Sequence, residues 1–85
     1  MTALPAIALT FANFADAEVP GGAINSSNRN FTLAHIPSPS GSLQLFLNGL
    51  LLRAGTDYTL TTNAIQTSVG ATPQTGDNLY ACYRY

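Results

Sequence analysis

Nucleophilic catalysis needs a base within hydrogen-bond reach of a nucleophile. The sequence offers one histidine, His35, and one cysteine, Cys82. His35 stands just before an Ile36, Pro37 turn, where a lone histidine is ordinarily a surface residue. No serine sits in a Gly-x-Ser-x-Gly elbow that would join His35 and Asp57 or Asp77 in a triad. Cys82 falls inside an alternating run near the C-terminal end, the usual place for a small buried thiol. The four carboxylates, Asp16, Glu18, Asp57 and Asp77, are too sparse for a calcium loop, and no His/Cys cluster offers a metal its ligands. Asp57 and Asp77 could in principle be the paired acids of glycoside hydrolysis. Each has a simpler use, because Asp57 follows Gly55 and Thr56, and Asp77 follows Gly76. A short acceptor at such a turn can bind backbone amides two or three residues ahead. The expectation is therefore a protein that is not an enzyme, with no catalytic residue, no cofactor and no metal.

The elements that carry these residues are built with little charge. Of 85 residues only 8% are charged, against roughly 25% in an average soluble domain. The three basic residues are Arg29, Arg53 and Arg84, while 26 positions are Ser, Thr, Asn or Gln, giving a neutral surface of hydroxyls and amides. A net charge of -1 with scattered arginines cannot supply the cationic stripe that drives nucleic-acid binding. No uninterrupted apolar stretch comes near the roughly 20 residues of a membrane-crossing helix. No partner is expected among nucleic acids or membranes. No basic residue precedes Arg29, so the positive start of a secretory signal is missing. One cysteine excludes an internal disulfide, so a small fold must close by packing alone.

Apolar residues at every second position mark strands with one face on a core. The pattern occurs at Ile7, Leu9 and Phe11, at Phe31 and Leu33, at Leu43, Leu45 and Leu47, and at Tyr58 and Leu60. It is clearest at the end, where Leu79, Ala81, Tyr83 and Tyr85 alternate with Tyr80, Cys82 and Arg84. No window shows helical spacing between capping signals, so no helix is expected. Asn48 and Gly49, between two leucine-rich runs, predict a two-residue hairpin turn with positive φ at both positions. Pro20 to Gly22, Pro37 to Gly41, Gly55 with Asp57, Thr62 with Asn63, and Pro73 to Asp77 with Gly76 supply further turns. This cadence predicts an all-β fold, a small antiparallel β-sandwich or flattened barrel of about six or seven strands. Residues 1–17 are expected to be either its first strand or an extended arm that adds to a neighbouring sheet, with residues 18–85 as the sandwich module. Three tyrosines in the final run lie on two faces, which favours packing over a sugar-binding platform.

Phe31, Thr32, Leu33, Pro37, Pro39, Leu43, Leu45, Asn48, Gly49, Leu50, Gly55, Asp57, Tyr58, Thr59, Pro73, Gly76, Asp77, Leu79, Tyr83, Arg84 and Tyr85 follow one another in an order that resembles a small β-module of tailed-bacteriophage virion proteins. The resemblance covers about two thirds of the chain and extends weakly back through Glu18, Pro20 and Ile24. It departs from such modules at Ala64 to Val69, where aromatic alternation is lacking, and in standing nearly alone on its own chain. The resemblance implies a non-enzymatic structural role at the particle surface. Its most concrete form is a capsid decoration, or cement, subunit that self-associates as a homotrimer and binds the major capsid protein. The alternative is a tail-fibre, baseplate or adaptor component contacting tail proteins, with adhesion to host polysaccharide. In either role the expected interface residues are Ile7, Leu9 and Phe11 with Phe46, Leu50 and Tyr85, and the capsid is favoured over the tail.

Overall fold

The computed structural model describes residues 13–85 as seven strands and two three-residue 3-10 turns, with no α-helix among the described residues. The strands are β1 (Phe14–Glu18), β2 (Asn30–Thr32), β3 (Gln44–Leu47), β4 (Leu50–Leu51), β5 (Tyr58–Thr61), β6 (Ala64–Thr67) and β7 (Leu79–Arg84). They form two antiparallel sheets, one in the order β1-β7-β3-β4 and the other β2-β6-β5, the small β-sandwich that the alternating pattern predicts. Ile7, Leu9 and Phe11 lie outside the described residues, and β1 crosses the boundary between Ala17 and Glu18.

The core sits between the sheets. Leu45, Leu79, Ala81 and Tyr83 enter it from the first sheet, Phe31, Ile65 and Tyr58 from the second, and Leu33, Leu43 and Leu52 from the connections. Full burial of such a side chain stabilises by roughly 1.5–3 kcal/mol, so these residues carry the fold. Residues 64 to 67, which lack aromatic alternation, still form a central strand, because Ile65 and Thr67 both turn inward. Thr67 is fully buried, and among the described residues its hydroxyl has no hydrogen-bond partner.

Turn chemistry sets the register. Asn48 (φ 54°) and Gly49 (φ 82°) both take the left-handed conformation, as a tight turn matched to strand twist requires, and they pair Leu47 with Leu50. Asn48 has a second task. Its side-chain amide donates to Asp77 Oδ1 (3.0 Å) and its carbonyl oxygen accepts from the Asn78 N–H (2.8 Å), tying this hairpin to the loop that feeds β7.

The two turn aspartates act on the chain behind them, not ahead as expected from sequence. Asp57 Oδ2 accepts from the Arg53 N–H and Asp77 Oδ2 from the Gln74 N–H, each at 2.8 Å. The physical reason is the positive φ of Gly55 (82°) and Gly76 (95°), which turns the chain back so that each carboxylate faces the residues before its glycine.

Candidate functional site

The outer face of the β1-β7-β3-β4 sheet follows from its register. Cross-strand partners share a face, and Leu79, Ala81 and Tyr83 point into the core. Tyr80, Cys82 and Arg84 therefore point outward, together with their partners Phe46, Gln44 and Phe14. Phe46 also pairs with Leu51, so Tyr80, Phe46 and Leu51 form an apolar row across three strands. The Phe46 and Tyr80 rings stack with centroids 5.2 Å apart. Phe14 and Leu51 are 63% and 51% exposed, leaving large apolar groups open to solvent at opposite edges of this face. At the Phe14 end a shallow cavity of about 400 Å³ is lined by Phe14, Asp16, Ser42, Gln44, Cys82 and Arg84. The Cys82 sulfur is half-buried there and accepts a hydrogen bond from the Ala17 N–H at 3.3 Å.

The opposite sheet presents different chemistry. Its outer face has Asn30, Gln66 and Thr59 in one row and Thr32, Ala64 and Thr61 in the next. Apart from one alanine, every member is a neutral hydroxyl or amide side chain.

A β-bulge separates the outer face from a polar clasp at the sheet edge. Ala15 pairs with Tyr83 but Glu18 pairs with Ala81, so β1 advances three residues while β7 advances two. The extra residue reverses the alternation. Glu18, which would share the face of Phe14 and Asp16 in a regular strand, turns toward Tyr83 instead. Tyr83 Oη donates to Glu18 Oε1 at 2.5 Å and accepts from the His35 N–H at 3.1 Å, while Glu18 Oε2 accepts from the Ala34 N–H at 2.8 Å. Burial, then the bond to Glu18, pushes the Tyr83 phenol up to about 12. Burial also raises the phenol of Tyr58. At Asp77, hydrogen bonds from the Asn48 side chain and the Gln74 amide hold the carboxyl below its usual range.

The sequence-derived residues fall in separate places. Phe46 is on the outer face described above. Leu50 is 71% exposed at the sheet edge but pairs with Leu47, whose side is the inner one. Tyr85 packs partly against the core and stacks on the His35 ring with centroids 3.7 Å apart and planes 3° from parallel. His35 is thus placed against an aromatic ring, while Asp57 and Asp77 sit in two different turns. Among the described residues no group of three His, Cys, Asp or Glu side chains comes together. Sequence reasoning missed Glu18, Tyr80, Phe14 and Leu51. The alternation of β7 contained the signal for Tyr80, since its partner face was legible as Tyr80, Cys82 and Arg84.

Searches of protein-family models, curated proteins and solved structures find no match to this chain.

Proposed function

We propose that this protein is a non-enzymatic structural subunit of a tailed-bacteriophage virion, most concretely a capsid decoration subunit that stabilises the shell through contacts with itself and with the major capsid protein. The observation that carries this role is the unlike chemistry of the two outer sheet faces. One is a neutral polar surface of threonines and amides; the other exposes Phe14 and Leu51 and a stacked Phe46–Tyr80 pair. The adjoining row of Tyr80, Phe46 and Leu51, bordered by polar groups, has the make-up of an interaction surface, and interface cores are enriched in aromatics and depleted of charge. Further support comes from the chain's low charge and from the resemblance to virion β-modules.

The mechanism is one of added contact area. A subunit that binds the assembled shell and not its separated parts stabilises the assembled state by mass action. The test is the copy number of the chain in purified particles of the phage that encodes it, measured by quantitative mass spectrometry. Hundreds of copies per particle are expected. Tens of copies confined to the tail, or none, contradict a decoration role.

A further inference from the structure

We propose that the outer face of the β1-β7-β3-β4 sheet is an isologous docking face for a second copy of this chain, in which Arg84 of one copy meets Asp16 of the other across a two-fold axis. The inference deepens the assembly role by naming the face and its first partner.

The face is self-complementary in charge. Phe14 pairs with Arg84, and Asp16 lines the same depression two residues further along β1. Both Asp16 and Arg84 are exposed, and among the described residues neither side chain has an ion-pair or hydrogen-bond partner. A two-fold axis sets residue i against j and j against i, so one acid and one base on the same patch are satisfied together. Like charges facing each other would instead repel. Beside this charged half lies the row of Tyr80, Phe46 and Leu51, which supplies the apolar contact. The other outer face carries neither apolar row nor opposite charges.

The size of the face sets the strength. The seventeen residues of these four strands, at about 4.8 Å spacing and about 3.3 Å rise, give a footprint on the order of 300 Å² per copy. That is well under half the area each partner contributes in a standard interface and belongs to the size class of weak, transient encounters. A two-fold pair also gives even-numbered complexes, unlike the homotrimer implied by the resemblance.

The experiment is sedimentation velocity of the full chain across a concentration series from low micromolar to near millimolar, for the native protein, Asp16→Arg, Arg84→Asp and the double exchange. The native chain is expected to dimerise reversibly. Each single reversal should weaken association by about tenfold or more, and the double exchange should restore it, because the signs are then swapped on both copies. At concentrations too low for association all four should share one melting temperature, since both side chains are exposed. Alkylation of Cys82, the sole cysteine and central on the face, should slow as concentration rises. A monomer throughout the series overturns the proposal, as does a trimer or a dimer indifferent to both reversals, or a double exchange no better than the worse single one. A failure here leaves the copy number in particles untouched, and absence from particles leaves the dimer untouched, so the two outcomes are separately readable.

Discussion

Replacing Tyr83 by Phe removes one oxygen and leaves the ring in the core. That oxygen donates to Glu18 at 2.5 Å and accepts from the His35 amide at 3.1 Å. A hydrogen bond to a charged partner contributes about 1.5–3 kcal/mol, and Glu18 keeps only its bond from the Ala34 N–H after the change, so a loss of about 2 kcal/mol is expected. For a domain of this size each kcal/mol moves the melting temperature by roughly 4–8 °C, which makes the expected drop about 8–16 °C. Urea unfolding of the native chain, Tyr83→Phe, Glu18→Ala and the double variant closes a cycle whose coupling should be about 1 kcal/mol. The same clasp has a pH signature. The folded phenol is raised to about 12 from an ordinary value near 10, chiefly by burial, so its stabilisation is complete below pH 10 and is lost as pH climbs toward 12. Tyr83→Phe should flatten much of that alkaline decline, with a remainder from Tyr58, which is raised in the same direction. A stability change below about 0.5 kcal/mol, or strictly additive single variants, would refute the clasp as a stabilising unit.

Three further outcomes follow from single positions. Gly22 has φ 143° and a Cβ there would lie 2.7 Å from a Phe31 ring carbon and 2.8 Å from the Asn30 carbonyl oxygen, so Gly22→Ala should cost about 3 kcal/mol in chemical denaturation; a loss under about 1 kcal/mol contradicts the close approach. Thr67→Val replaces a buried, unpartnered hydroxyl with a methyl of similar shape and should raise stability by about 1 kcal/mol; a destabilised variant would show that the hydroxyl has a partner. The Asp77 carboxyl titrates below its ordinary value, so its contribution is present above that value and is lost as pH falls below about 4; Asp77→Asn should flatten the acid limb of a stability curve, and an unchanged limb would remove Asp77 from it.

Much of the fold was legible because the sandwich is built from period-two strands. Leu43 to Leu47, Tyr58 to Leu60 and Leu79 to Tyr83 show their inward faces directly, and Asn48 with Gly49 locates a hairpin to the residue. The candidate surface was much less legible, for three physical reasons. First, the bulge at Ala15 to Glu18 inverts the alternation in mid-strand, and no residue type marks it; Ala17 even holds φ 54° without being glycine. Glu18 therefore reads as a surface acid and is a clasp on Tyr83. Second, a strand's period tells which residues share a face, not which neighbours complete it. The row of Tyr80, Phe46 and Leu51 joins three strands and exists only in the sheet order β7-β3-β4. Third, side-chain bonds between distant loops, such as Asn48 to Asp77, 29 positions apart, leave no local trace.

The central claim is that the Phe14, Phe46, Tyr80 and Leu51 side of the sandwich is the adhesive one, and Cys82 at its middle offers a native probe. For the proposed virion subunit the decisive measurement is the rate of Cys82 alkylation by a small maleimide on purified particles, compared with the same chain released from them at high dilution. The account expects protection of tenfold or more on the particle, on the order of 1.4 kcal/mol or more of reduced access. Equal rates in the two states would mean that this face stays open to solvent in the assembly, and that adhesion is carried elsewhere.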